Sequence, residues 1–473
     1  MRKTKIICTL GPATDQPGVL KQVALAGMDV ARFNFSHGSY EEHGERFKAL
    51  CQVREEIGRP IAALLDTKGP EIRLRDFVNG KEYLEKGQTF TLTTREVKGT
   101  KDIVSISYSG LPKDVKIGTR ILIDDGLIEM NVEEKTETDI ICKVLNEGPV
   151  SNKKGVNVPD TRLSMPYLSE KDKEDIVFAV KTGYDFIAAS FVRSAADVFE
   201  VRKILSENNN DTIRIISKIE NKEGVDNIDE IIEASDGIMI ARGDMGVEIP
   251  GEEVPVIQKM IIKKMYKAGK QVITATQMLD SMMKNPRPTR AEISDVANAI
   301  FDGSGAIMLS GETAAGKYPV ESVTMMSKIA ERTEKEIDYK KRFRVMEAKP
   351  HATVREAISH ATVMTAHDLN AEAIVSVTMS GATARRVSKY RPDSPILGCS
   401  TNEQVLRQLN LAWGVIPVKI DTKEDTFELF DHAIEQGRKA GHLAEGDIAV
   451  ITAGIPLGLE GSTNMIKVQK VGE

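Results

Sequence analysis

Eight apolar runs, each the length of one buried strand, recur along this chain with amphipathic helical patterns between most of them. That alternation restricts the fold more than any other feature. The runs fall at residues 5–10, 29–35, 61–66, 186–191, 213–219, 237–241, 271–276 and 306–310. They are continuous rather than alternating in polarity, as strands covered on both faces must be. Helical periodicity fills residues 18–26, 40–56, 194–208, 254–268 and 290–301. Eight such units predict an α/β fold built on a (β/α)8 TIM barrel, which carries its chemistry at the C-terminal strand ends.

The third and fourth runs lie too far apart for one crossover helix. Residues 70–163 hold short alternating runs at 89–94, 103–107, 120–127 and 139–145, broken by Gly, Asp and Asn turns. They predict an all-β lid domain inserted at the barrel mouth, between barrel segments 1–69 and 164–340, with residues 68–70 and 159–166 as hinges. After a helical pattern at 320–336, the charged run 339–350 reads as a linker. Residues 341–473 then form a C-terminal open α/β domain, with strand-like runs at 373–378, 395–399, 415–418, 448–452 and 465–470.

Polar residues gather where the barrel runs stop. Lys218 and Glu220 share a face of the fifth run, and Asp244 follows the sixth. Paired carboxylates at one mouth hold a hard divalent cation through oxygen, and a lysine beside them neutralises a phosphoryl group. A structural ion-pair cluster and the Schiff-base lysine of a barrel lyase are the rival readings of the same residues. Arg32 and Asn34 alternate with Phe33 and Phe35. A fixed arginine there suits bidentate phosphate binding, or pairs with a carboxylate in a capping turn. Asp66 and Thr67, with Asn34 and Ser36, offer the oxygens that an alkali or alkaline-earth cation takes; an Asp/Thr cap at a domain junction is the plainer alternative. Gly243, before Asp244, either bares backbone N–H groups to an anion or makes a turn. Thr276 and Ser310 add hydroxyls at the same mouth, or cap helices. In the last domain Thr378, Ser380, Gly381 and Thr383 follow a strand and open a helix. They form either an N-cap or a nest for an allosteric phosphometabolite, over which residues 454–464 are placed to fold.

Composition removes other classes. A formal net charge of -6 over 473 residues is mild, and no basic block is interleaved with aromatics, so nucleic acid is not an expected partner. No window approaches a membrane span, and the N-terminal apolar run ends in Gly-Pro, too short for a signal segment; a cytoplasmic protein is expected. Cys8, Cys51, Cys142 and Cys399 are scattered and read as reduced thiols.

Taken together, several segments resemble the pyruvate kinase family over essentially the whole chain. They are Arg32-Phe33-Asn34-Phe35-Ser36-His37-Gly38, Leu65-Asp66-Thr67-Lys68-Gly69-Pro70-Glu71-Ile72-Arg73, Ile216-Ser217-Lys218-Ile219-Glu220-Asn221, Ala241-Arg242-Gly243-Asp244, Ile273-Thr274-Ala275-Thr276-Gln277-Met278-Leu279 and Met308-Leu309-Ser310-Gly311-Glu312-Thr313-Ala314. The resemblance implies transfer of phosphate from phosphoenolpyruvate to ADP, giving pyruvate and ATP, with Mg2+ (or Mn2+) and K+ as cofactors. It implies that Glu220 and Asp244 ligate the divalent ion and that Arg32 and Lys218 hold the phosphoryl group. Gly243, Asp244 and Thr276 would bind the substrate carboxylate, and Thr276 with Ser310 would protonate the enolate. Asn34, Ser36, Asp66 and Thr67 match the family's potassium ligands; His37, Arg73 and Lys171 would sit near the nucleotide. A homotetramer is the common assembly. The short N-terminal domain of animal relatives and the extra C-terminal segment of some bacterial ones are not matched. A non-catalytic phosphometabolite sensor is the competing class, but it predicts a degraded barrel mouth, whereas every polar position expected there is filled.

Overall fold

The computed structural model describes residues 1–346, 353–456 and 463–473. Strands β1 (Lys5–Thr9), β2 (Val30–Asn34), β3 (Ala62–Asp66), β4 (Phe186–Ala189), β5 (Arg214–Ile219), β6 (Gly237–Ala241), β7 (Gln271–Ala275) and β8 (Ala306–Leu309) each end within a residue or two of an expected run. They close into a parallel barrel, β1 pairing with both β2 and β8. The helices between them begin and end on local signals. Thr289 and Glu292 form a capping box before the helix Arg290–Asp302, which stops at Gly303 with φ 109°.

Each strand contributes a packed residue to the barrel interior: Ile7, Val30, Leu64, Phe186, Ile216, Met239, Ile273 and Met308. Side chains alternate along a strand, so positions two further on share that inward face. Those positions are Thr9, Arg32, Asp66, Lys218 and Ser310 on five strands and Ala241 and Ala275 on β6 and β7, and from Phe186 the same count passes Ala188 to reach Ser190. The pleat that builds the core therefore also delivers a ring of polar groups to the C-terminal mouth.

Between β3 and β4 a seven-stranded sheet and a separate two-stranded sheet are inserted. They enclose a core of their own around Phe77, Phe90, Leu92, Ile121 and Met130. The expected run 120–127 is broken. Asp124 and Asp125 both have φ 55° and Gly126 has φ 85°, which turns strand Arg120–Ile123 back into strand Ile128–Lys135.

The C-terminal domain holds β9 (Ala373–Val377), β10 (Ile396–Ser400), β11 (Val415–Lys419), β12 (Ile448–Gly454) and β13 (Thr463–Lys470) in the order β11-β10-β9-β12-β13. Only β13 runs antiparallel to its neighbour. The expected linker at 339–350 is corrected in its first half: Tyr339–Met346 is a helix. Tyr339 and Phe343, one turn apart, are both buried, and that apolar pair outweighs the surrounding Lys and Arg. The rest of that run lies outside the described residues.

This domain also stops the barrel floor. Leu411 joins the barrel's own interior cluster. Around it Asn410 Nδ2 donates to the Asp29 carbonyl at 2.9 Å, Lys5 Nζ to the Val415 carbonyl at 2.6 Å, and Arg407 Nε to Asp185 Oδ1 at 2.8 Å. Access to the interior is thus left to the opposite, C-terminal end.

Candidate active site

At that end four charged side chains, all buried, lie in contact. Arg32 Nε donates to Asp66 Oδ2 at 2.6 Å, and its Nη1 to Thr9 Oγ1 at 3.0 Å. Lys218 Nζ stands 3.0 Å from Asp66 Oδ1 and 2.9 Å from Glu220 Oε1, and donates to Ser190 Oγ at 2.7 Å. Glu220 Oε2 accepts the Phe191 N–H at 2.6 Å. The alternatives for Arg32 are therefore not exclusive: it pairs with a carboxylate and still belongs to the mouth.

Burial alone would raise the Asp66 carboxyl, but Arg32 and Lys218 outweigh it and hold it below its usual range. Burial also opposes charge on Lys218, yet Asp66 and Glu220 prevail and raise it above its ordinary value. An ammonium held by two carboxylates and a hydroxyl is a poor amine nucleophile, which weighs against the Schiff-base reading. Glu220 goes the other way: burial pushes it up to about 8, Lys218 pulls it back, and Asp244 and Asp66 push it further.

Further acids lie outward of Glu220. A cleft of about 670 Å³ lies between the insertion and the barrel, lined among others by Arg73, Asp124, Asp125, Asp244 and Glu248. Burial, then Asp244 and Asp124, raises Asp125; burial is also the main cause that raises Glu248. Glu220 Oε1 accepts no well-directed hydrogen bond. Buried carboxylates with an unsatisfied oxygen fit a divalent cation. Among the described residues no three His, Cys, Asp or Glu side chains form a metal cage. Magnesium requires none, since one or two carboxylates suffice when substrate oxygens complete its shell.

Thr276 adopts φ 69°, a costly conformation for a β-branched residue and one that gathers at functional sites. Its Oγ1 accepts the Gly243 N–H at 2.8 Å and donates to the Ala275 carbonyl at 2.6 Å. Among the described residues the buried Ser310 Oγ has no hydrogen-bond partner. Asn34 stands in register with Asp66 across β2 and β3, and its Oδ1 accepts the Ser36 N–H at 3.2 Å. Thr67 Oγ1 accepts the Ser190 N–H at 3.1 Å.

The three expected nucleotide residues have different surroundings. Arg73 lines the cleft, held by Glu71 at 2.8 Å, whereas Lys171 is paired with Asp175 at 2.8 Å and His37 is exposed. Neither Lys171 nor His37 lines the cleft. Ser190, Asp125 and Glu248 were not anticipated. For Ser190 a signal existed, the count by two from Phe186; the other two enter only through the meeting of insertion and barrel.

In the C-terminal domain Gly381 has φ 76° and starts the helix Ala382–Lys389. The Ser380 carbonyl accepts from Arg385 Nη2 at 2.8 Å, Thr383 Oγ1 lies 2.7 Å from Thr463 Oγ1, and Thr378 is buried. Of the expected covering loop 454–464, residues 457–462 lie outside the described residues.

A (β/α)8 barrel that gathers buried arginine, lysine and carboxylates beneath an inserted β domain has the construction of a phosphotransferase. Residues 1–323 match the family model "Pyruvate kinase, barrel domain" and residues 356–469 match "Pyruvate kinase, alpha/beta domain". The chain belongs to the pyruvate kinase family. It is 51% identical over 472 residues to a pyruvate kinase of Clostridium acetobutylicum, covering 100% of both chains. It is also 51% identical to one of Geobacillus stearothermophilus, covering 100% of this chain and 81% of that one. The crystal structure of a pyruvate kinase from Cryptosporidium parvum superposes with a TM-score of 0.94 at 42% identity, covering 99% of this chain and 96% of that one. No helix among the described residues is long and apolar enough to cross a membrane.

The electrostatics of Glu220 give a signed pH dependence. Its folded value is raised from 4.5 to about 8, so with no cation bound its contribution to stability falls as pH rises through that window. A divalent cation takes the proton's place. Added Mg2+ therefore raises the melting temperature more at about pH 8.5 than at about pH 6, measured by calorimetry. An equal or larger gain at the lower pH contradicts this account of Glu220.

Proposed function

We propose that the barrel mouth transfers the phosphoryl group of phosphoenolpyruvate to ADP, giving pyruvate and ATP. The observation that supports this most is the contact of Arg32, Asp66, Lys218 and Glu220 in one buried cluster at the strand ends. Phosphoryl transfer asks little covalent chemistry of a protein; it asks for positioning and for positive charge where negative charge spreads. Arg32 and Lys218 bind the phosphoryl oxygens, already oriented by Asp66. Glu220 and Asp244 hold Mg2+ or Mn2+, which when bound neutralises charge on the phosphoryl group. The N–H groups of Gly243 and Asp244 and the Thr276 hydroxyl bind the carboxylate. Thr276, through water ordered by Ser310, returns a proton to the enolate.

Asn34, Ser36, Asp66 and Thr67 take K+, their oxygens lying at the ends of two paired strands. Glu71, already committed to Arg73, provides no positive charge that would substitute for it. Arg73, with His37 and Lys171 at the rim, receives the nucleotide. The insertion closes over it as a lid and excludes water. A folded deletion of residues 73–163 that still phosphorylated ADP would remove the lid from this reading.

Thr378, Ser380, Gly381 and Thr383 form an effector site for a phosphometabolite, a reading supported by the helix start at Gly381, which has no side-chain cap among the described residues. Assembly as a homotetramer and a cytoplasmic location complete the reading. The four cysteines are free thiols, which suits a reducing compartment. Sedimentation as a monomer would count against the tetramer.

Lys218→Met is expected to keep the fold but lose turnover at least a hundredfold to a thousandfold, because the lost charge acts mainly in the transition state. Steady-state assay with phosphoenolpyruvate, ADP and Mg2+ measures it, and near-normal turnover refutes the role. The same assay in tetramethylammonium instead of K+ loses most activity, and Glu71→Lys restores it.

For the effector site, fructose 1,6-bisphosphate, ribose 5-phosphate or AMP is expected to lower the half-saturating phosphoenolpyruvate concentration. Replacing Thr378 and Ser380 by glutamate abolishes that shift while sparing turnover at saturation. If none of the three moves the wild-type curve, the nest is only a helix cap.

A further inference from the structure

We infer that Ser190 is a positioning residue for phosphoryl transfer, acting through Lys218 and resting on the role proposed for that lysine. Ser190 is 1% exposed and every polar group it owns is engaged. Its Oγ accepts from Lys218 Nζ at 2.7 Å, and its single proton has the Thr67 carbonyl at 2.7 Å and Asp66 Oδ1 at 3.1 Å as acceptors. Its N–H donates to Thr67 Oγ1 at 3.1 Å, and its carbonyl accepts the Tyr167 hydroxyl at 3.1 Å.

The turn that carries it is equally fixed. Phe191 has φ 53°, uncommon for a bulky residue, and this conformation accompanies its N–H donation to Glu220 Oε2 at 2.6 Å. Gly69, at the expected lid hinge, packs directly on the same turn: a Cβ there would stand 2.9 Å from Ser190 Cβ and 3.0 Å from Phe191 Cδ2. One dipeptide after β4 therefore holds Lys218 with a side chain and Glu220 with a backbone N–H.

An ammonium has three donors. Asp66 and Glu220 attract two by charge, which sets the distance of Lys218 from each carboxylate but leaves rotation about that pair open. The neutral Ser190 acceptor removes that freedom, so the ammonium acts on a phosphoryl group as a charge held in place. Without it the ammonium still binds anions, so ground-state affinity survives with help from Arg32. What is lost is alignment on the phosphoryl group in flight, where small misplacements are expensive.

The experiment is a double-mutant cycle of Ser190→Ala and Lys218→Met on the full chain, with melting temperatures recorded. Ser190→Ala is expected to lower kcat about tenfold to a hundredfold, the range for a hydrogen bond to a charged group, with KM for phosphoenolpyruvate within about threefold. In the Lys218→Met background the same change is expected to alter the residual rate less than about twofold, because a residue that acts through Lys218 has nothing left to position. A wild-type kcat in Ser190→Ala, or the same fold-loss in both backgrounds, overturns the inference. Should Ser190→Ala fold poorly, Ser190→Cys, a near-isosteric and weaker acceptor, is read in the same cycle against the same two outcomes. Wild-type turnover by Lys218→Met alone would instead refute the role of the lysine, and is read from a separate arm.

Discussion

The mouth depends on one electrostatic arrangement, the burial of the Lys218 ammonium between the carboxylates of Asp66 and Glu220. Removing three charges from water is costly, and it is tolerable only where geometry and further hydrogen bonds are good. The surroundings supply them. Arg32 takes the second oxygen of Asp66, Ser190 takes a Lys218 proton, and the Phe191 N–H takes Glu220 Oε2. Glu220 Oε1, though 2.9 Å from Lys218 Nζ, accepts no well-directed hydrogen bond among the described residues, and burial raises the acids beyond it, Asp125 and Glu248. The arrangement thus meets the needs of its cations more fully than those of its anions, which is the asymmetry expected of a site that awaits a metal and a phosphorylated substrate.

Rigid placement of these groups follows from the closed barrel. Thr9, Arg32, Asp66, Ser190, Lys218 and Ser310 each stand two positions beyond a packed apolar residue, so the core that stabilises the barrel also fixes the height and direction of these side chains. The C-terminal domain contributes from the far side, where Leu411 enters the same interior cluster. That domain is joined to the strand bottoms through Asn410 at Asp29, just before the strand that carries Arg32, and through Arg407 and Lys5.

Much of this was legible in the sequence because buried parallel strands leave continuous apolar runs, and those runs end in the very residues that line the mouth. What was missed has physical causes. Strand Ile128–Lys135 alternates Ile, Met and Val with Glu and Asn and then runs into charge, so its pattern dissolves beside the preceding turn. The helix Tyr339–Met346 is half basic, and its buried face is carried by Tyr339 and Phe343. Ser190 follows two alanines and gives no local sign of its partners. Asp125 and Glu248 belong to one cleft only because an inserted domain folds back over the barrel, a relation no local pattern encodes. The ion pairs of Lys171 with Asp175 and of Arg73 with Glu71 are likewise not revealed by spacing alone.

Locating the divalent cation tests the account most directly. Crystals grown with Mn2+ and oxalate, a stand-in for the enolate of pyruvate, would show the ion by its anomalous scattering. The account predicts one strong peak bound to a carboxylate oxygen from each of Glu220 and Asp244, at about 2.0 to 2.3 Å, with oxalate oxygens completing its shell and Lys218 alongside. A fully occupied ion at the mouth that touches neither carboxylate would contradict it.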